Sequence, residues 1–177
     1  MNTIRPHLRS ISIVLSLAKL YFVFKSASLV ILAILGTSSG DEVLVDILKS
    51  DFFTKSNDTP SNYLAAVFLL LIIGLNIFLI FRLWLASKII RKYQVEKLLT
   101  LGHSKNLEKV GKGFDYYSFL WYATHLIFGA FFFNDLTAFY KTLPYALIFF
   151  LLGKVILILS SISAKAEILK EENDLTV

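Results

Sequence analysis

Long apolar stretches alternate with short charged stretches along the whole chain. Residues 64–81 carry no charge over 18 positions, close to the length that a helix needs to cross the hydrocarbon core of a bilayer. Three further stretches have a similar character. The predicted spans cover about residues 11–35, 63–83, 114–133 and 142–162. The pattern therefore predicts an all-α integral membrane protein, a single domain of four transmembrane helices over residues 1–177.

The segments between the predicted spans differ in charge and in pattern. Residues 36–62 hold five acidic and two basic side chains, and apolar residues recur within them at helical spacing from Val43 to Phe52. This predicts a short amphipathic helix on the outer membrane face. Residues 86–113 hold seven Lys or Arg against two Glu, and the helical spacing continues into them. We expect a helical basic inner loop there, with a stop at Gly102, a short helix through Val110 and a cytoplasmic tail at residues 163–177.

The distribution of basic residues indicates the orientation of the chain. Of the 18 Lys and Arg, 12 are assigned to one side, including Arg82 at the end of the second span, three to the other side and three to positions within spans. Cytoplasmic loops carry the excess of basic residues. Both termini are therefore predicted to be cytoplasmic. Lys19 and Lys25 interrupt the first apolar stretch, which favours a retained helix over a cleaved signal peptide.

Composition narrows the class of protein further. The chain is 56% hydrophobic and 18% charged, which is typical of a membrane protein rather than a soluble domain. The net charge of +5 follows the topology, so contact with the lipid bilayer is expected and direct nucleic acid binding is not. The absence of cysteine excludes disulfides, thiol catalysis and cysteine-ligated metal sites.

Four polar residues within the predicted spans fall at one depth, about 10–14 Å below the cytoplasmic boundary at a rise of 1.5 Å per residue. They are Lys19, Asn76, His125 and Lys154. As a layer inside the bundle, with two ammonium groups and no neutralising carboxylate, they would suit a small anion- or lipid-binding carrier, which would have to form a homo-oligomer. The alternative is that the lysines snorkel to the interface, while Asn76 and His125 hydrogen-bond neighbouring helices. Asp115 lies at the edge and is expected to serve a helix N-terminus or a nearby lysine.

Known catalytic motifs and metal-binding patterns are absent from the sequence. It contains no phosphate-binding loop, dinucleotide fingerprint, nucleophile elbow or zinc-protease motif. His7, His103 and His125 lack ligand companions at metal-binding spacing. Tyr116, Tyr117, Trp121 and Tyr122 are more typical of an interfacial aromatic belt with packing than of a ligand cage. The sequence thus predicts a protein that is not an enzyme and that has neither a cofactor nor a metal.

The last six residues, Glu172-Asn173-Asp174-Leu175-Thr176-Val177, resemble the chain terminus of the YoaS-like family. That family consists of small bacterial four-helix membrane proteins of unknown function. The segment Ser104-Lys105-Asn106-Leu107-Glu108-Lys109-Val110 looks like the family's short Lys/Leu helix. The resemblance implies a multi-pass protein of the bacterial inner membrane that acts beside a small helix-turn-helix regulator.

The resemblance directs attention to a docking surface on the cytoplasmic side. The proposed docking residues are Lys105, Lys109, Asn173, Asp174, Leu175, Thr176 and Val177. A free carboxylate after an extended chain end can be held by backbone amides or added to the edge of a sheet. The alternative is a solvated acidic end and a basic loop that serves only to orient the chain. The leading hypothesis is a regulatory or sensory protein that docks a cytoplasmic transcriptional regulator.

Overall fold

Four helices form the part of the chain that the computed structural model describes, which comprises residues 4–38, 62–96, 103–132 and 134–175. They are α1 (Ile4–Ser38), α2 (Asn62–Glu96), α3 (His103–Ile127) and α4 (Ala138–Leu175), and a π-helical turn, Phe128–Phe132, extends α3. The all-α prediction is confirmed. The predicted amphipathic outer helix and the expected stop at Gly102 lie outside the described residues.

Three of the helices, α1, α2 and α4, are long and apolar enough to cross a membrane. Their apolar faces are largely exposed, as expected where side chains meet lipid instead of a protein core. The four predicted spans fall on the four helices in order, but α3 is not among these three. It begins with a polar segment and carries Asp115 and His125, so it is the least apolar of the four.

Two helices extend farther than the sequence predicted. The sequence predicted that a short helix ends at Val110, but α3 runs unbroken to Ile127. Its glycines, which weaken a helix in isolation, allow close packing here: a Cβ on Gly113 would lie 2.5 Å from the Arg82 side chain. The chain end was predicted to be extended, but α4 continues to Leu175. The α3 prediction was wrong because contacts between helices outweigh local propensity there. The extended conformation was wrong for Asp174 and Leu175, while Thr176 and Val177 lie outside the described residues.

The start of α4 is set by the turn before it. Asn134 has a left-handed backbone (φ 50°), a conformation that asparagine tolerates after a helix. Asp135 then caps α4, since its Oδ1 accepts a hydrogen bond from the Thr137 backbone N–H at 2.9 Å. The helix therefore begins at Ala138, four residues before the predicted Thr142, and Pro144 lies inside it rather than in its first turn.

Aromatic side chains form the centre of the bundle and link three helices. The Phe149 ring of α4 lies 4.9 Å from the Tyr117 ring, 5.9 Å from the Phe114 ring and 6.4 Å from the Phe22 ring. Tyr117 and Trp121 are buried in this core, whereas Tyr116 is exposed and Tyr122 is partly buried. The aromatic run on α3 thus divides into packing residues and outward-facing residues.

Helices α3 and α4 form the closest antiparallel pair, along a line of mostly small residues that we call the α3–α4 seam. On α3 the seam contains Ser104, Gly111 and Ser118, and on α4 it contains Ala146, Gly153 and Ser160. Both sets recur every seven residues, the repeat that keeps one helix face against a partner. The Ser118 hydroxyl donates to the Ala146 carbonyl at 2.7 Å, and a Cβ on Gly111 would lie 3.0 Å from the Gly153 carbonyl oxygen.

Candidate functional site

The end of the seam at the start of α3, which is predicted to face the cytoplasm and which we call the inner end, is closed by a hydrogen-bonded clasp. Both carboxylate oxygens of Glu167 accept hydrogen bonds from Ser104, from its backbone N–H at 3.2 Å and from its hydroxyl at 2.9 Å. The Ser160 hydroxyl donates to the Ser104 carbonyl at 2.7 Å. A carboxylate at a helix N-terminus satisfies free N–H groups and complements the helix dipole. We call these three residues the Ser104 clasp, which fixes the end of α4 on α3.

An ion pair lies on the same seam, farther into the predicted membrane region. The Lys154 ammonium lies 2.7 Å from Oδ2 of Asp115, and its Nζ is 4.7 Å from the centroid of the Phe150 ring. The Asp115 carboxylate lies against the Cα of Gly153, where a side chain would displace it. Lys154 therefore has a neutralising carboxylate, contrary to the prediction for the polar layer. The expectation that Asp115 serves a nearby lysine is confirmed.

Basic side chains line one exposed face at the start of α3. Lys105, Lys109 and Lys112 are exposed and recur at spacings of four and three, which places them on one side of the helix. Lys112 pairs with Glu108 at 2.6 Å, and this contact lowers the pKa of Glu108 and raises the pKa of Lys112. The Lys109 carbonyl accepts a hydrogen bond from Arg82 of α2 at 3.5 Å. We call these three lysines the lysine face. Its helix contacts α2 on one side and is joined to α4 by the clasp at its start.

The acidic end of α4 continues beyond the clasp. Eight residues follow Glu167 before the helix ends at Leu175, a rise of about 12 Å. Ile168, Leu169, Glu171, Glu172 and Asn173 are exposed in this segment. Asp174 and Leu175 are helical, while Thr176 and Val177 lie outside the described residues. We call the helical part after Glu167 the α4 extension.

The four residues of the predicted polar layer do not share one cavity. Asn76 and His125 are buried, with 0% and 2% of their surface exposed. Lys154 is bound to Asp115, and about half of its side chain is exposed. Lys19 lines an open groove between α1 and α2, and the other three residues are not part of that lining. The structure thus separates two buried residues from two lysines nearer the surface.

Asn76 and His125 occupy the bundle interior in different ways. His125 Nδ1 lies 2.9 Å from the Trp121 carbonyl oxygen of its own helix, and its ring packs 3.9 Å from the Trp121 ring and 5.4 Å from the Phe68 ring. Neither polar side-chain atom of Asn76 finds a hydrogen-bond partner among the described residues. The interhelical hydrogen bond expected of Asn76 is therefore not formed within that part of the chain.

Sequence reasoning missed Gly153 as part of the seam, and Ser160 and Glu167 as parts of its inner end. A signal was present, since 104, 111 and 118 on α3 and 146, 153, 160 and 167 on α4 each follow a strict spacing of seven. The spacing indicates one face on each helix but not which helices pair. Only the folded chain brings Ser104 and Glu167, which are 63 positions apart, into contact.

These features define the class of protein: an all-α membrane protein with a closely packed α3–α4 pair, whose inner end joins a basic helix face to an acidic helix end. More particularly, the chain belongs to the DUF2975 family, described as proteins of unknown function, which it matches over residues 50–177. The match includes α2, α3 and α4. No curated protein and no solved structure is significantly similar to the chain.

Proposed function

We propose that the chain is a non-enzymatic, regulatory protein of the bacterial inner membrane that docks a soluble cytoplasmic partner at the inner end of α3 and α4. The observation that carries this proposal is the helical α4 extension, which the Ser104 clasp holds beside the exposed Lys105. A surface that is ordered before binding loses less conformational entropy when a partner docks. The YoaS-like resemblance of the chain end supports a small helix-turn-helix regulator as that partner.

The length of α4 supports a docking surface outside the bilayer. Its 38 residues span about 57 Å as a helix, whereas a hydrocarbon core is about 30 Å thick. The distribution of basic residues favours a cytoplasmic C-terminal end, and with that orientation the α4 extension projects into the cytoplasm. A partner there can bind it without entering the membrane.

The chemistry of the inner end favours a partner of mixed charge. The α4 extension offers the apolar pair Ile168 and Leu169 beside the acidic pair Glu171 and Glu172. Apolar and charged residues on one helix suit a groove on a partner that has an apolar floor and a basic rim. The lysine face with Lys105 and Lys109 suits an acidic patch next to that groove, and two opposite charges in fixed positions set the orientation of the partner.

The first test compares the intact chain with a chain that ends at Glu171, which keeps the Ser104 clasp. Both are used to capture proteins from the native cytoplasm, and a retained helix-turn-helix regulator is identified by mass spectrometry. That regulator is then purified, and its affinity for each chain is measured in nanodiscs. We expect the shortened chain to bind at least tenfold more weakly, because residues 172–177 are part of the docking surface. Equal affinities would overturn the role of the chain end.

A charge reversal tests the lysine face separately. Lys105→Glu combined with Lys109→Glu is expected to weaken binding of the same regulator and to reduce its dependence on salt. Lys141→Glu is the matched control, because this exposed lysine belongs to the opposite end of α4. If the control weakens binding as much as the double variant does, the lysine face is not the docking surface.

A further inference from the structure

An open groove runs between α1 and α2 on the bilayer-facing surface. It has a volume of about 490 Å³ and is lined by Ser16, Lys19, Leu20, Val23, Ile80, Phe81 and Trp84. Leu20, Val23, Phe81 and Trp84 are among the exposed apolar side chains of the protein. In a membrane these side chains meet lipid, so the groove opens to the bilayer rather than to water.

The polar groups of this groove gather at its cytoplasmic end. Because α1 and α2 are antiparallel, Ser16 and Lys19 lie at the same end as Trp84. Lys88 follows one turn later on α2, with its Nζ 5.6 Å from the centroid of the Trp84 ring. Toward the middle of the bilayer the lining is apolar. The groove therefore has the Lys19 ammonium group in its lining at one end, with Lys88 next to that end over Trp84, and an apolar channel at the other end. No acidic side chain is part of its lining.

This distribution matches the shape and charge of a phospholipid. An ammonium group within a span is costly unless an opposite charge or water compensates it, and no carboxylate in the groove lining does so for Lys19. A lipid phosphate reaches this depth from the inner leaflet, which is where anionic headgroups attract basic side chains. Trp84 is of the residue type that prefers the membrane interface.

We propose that this groove binds one anionic phospholipid of the inner leaflet. The headgroup phosphate lies between Lys19 and Lys88, with the Ser16 hydroxyl beside it, and an acyl chain lies along Val23 and Phe81. The site is separate from the docking surface on α3 and α4, so either proposal can fail without the other. It also differs from the four-residue polar layer, because Asn76, His125 and Lys154 are not part of it.

Trp84 provides a direct test, because the chain has only two tryptophans and the other, Trp121, is buried. The full chain is reconstituted into phosphatidylcholine vesicles that contain 10 mol% of a brominated lipid, either phosphatidylglycerol or phosphatidylcholine. Brominated acyl chains quench tryptophan fluorescence on contact. A Trp84→Phe variant supplies the Trp121 background, which is subtracted from both measurements.

A specific anionic site predicts stronger quenching of Trp84 by the brominated phosphatidylglycerol. Two lysines, each worth about a fivefold preference near an anionic headgroup, give an expected apparent affinity at least fivefold higher. Equal quenching by the two lipids would overturn the proposal, since it indicates non-selective contact only. Weak quenching by both would also overturn it, because acyl chains then do not occupy the groove beside Trp84.

Single substitutions locate the headgroup. Lys19→Gln and Lys88→Gln are each expected to reduce the preference for phosphatidylglycerol about fivefold. Lys92→Gln is the matched control, since this exposed lysine lies one turn beyond Lys88 on the same helix, whereas Lys88 lies over the groove residue Trp84. If Lys92→Gln lowers the preference as much as Lys88→Gln does, the selectivity comes from general surface charge and the proposed site is wrong.

Discussion

The Lys154 ammonium and the Asp115 carboxylate show how a charged side chain is accommodated next to a membrane span. The pair lies between two helices, and the Asp115 side chain is mostly buried while about half of Lys154 is exposed. The absence of a side chain at Gly153 leaves room for the carboxylate. The sequence assigned Lys154 to an uncompensated cationic layer. Asp115 is 39 positions away, so only the fold shows that the two side chains pair.

Removal of the carboxylate alone is expected to destabilise the protein. Asp115→Asn leaves the Lys154 ammonium without its counter-charge and should lower the free energy of unfolding by about 1–2 kcal/mol. The loss is smaller than for a fully buried pair, because solvent screens the half-exposed Lys154. The double variant Asp115→Asn with Lys154→Met should recover most of that loss, because no unpaired charge remains. Thermal unfolding in the same detergent compares the three proteins. A double variant that is no more stable than the single variant would contradict this account.

At the scale of the elements, hydropathy was enough to predict four helices and their approximate positions. The signal is strong because every backbone group in lipid must be paired within its own helix. The ends of the helices were harder to predict. Local turn chemistry marked the outer connection at Asn134 and Asp135 correctly, whereas the continuation of α3 past Gly111 depends on packing against α4. Such contacts are not encoded in any short window of the sequence.

The seam predicts different outcomes for substitutions of different glycines. Gly153→Ala places a Cβ on the Asp115 carboxylate and 3.0 Å from the Gly111 carbonyl oxygen, so it should destabilise the protein by about 1–3 kcal/mol. Gly74→Ala is the control, since a Cβ there meets nothing within 4 Å and alanine favours the helix. Thermal unfolding midpoints measure both. Equal destabilisation by the two variants would show that the close approach of α3 and α4 does not depend on Gly153.

At the scale of the whole molecule, the sequence located the exposed lysines but not how they are held. Lys105 and Lys109 were singled out through the family resemblance and the basic inner loop, and both are exposed on one helix face. The Ser104 clasp was not predicted, because it joins Ser104 of α3 to Ser160 and Glu167 of α4, which are distant from it in sequence. The polar layer was inferred from depth alone. Depth does not determine the direction in which a side chain points around its helix, so Lys19 and Asn76 were grouped although they lie in different environments.

The low apolar content of α3 has a consequence for how the protein enters its membrane during synthesis. A segment that carries Asp115 and His125 is poorly suited to leave the translocation channel for lipid by itself. Helix α4 brings the Lys154 counter-charge and the matching seam, so α3 and α4 should insert together as a hairpin. One reporter of periplasmic activity is fused after residue 137, so that α4 is missing, and the same reporter is inserted at that position in the full chain. The first should be exported less efficiently than the second. Equal export would show that α3 inserts without α4.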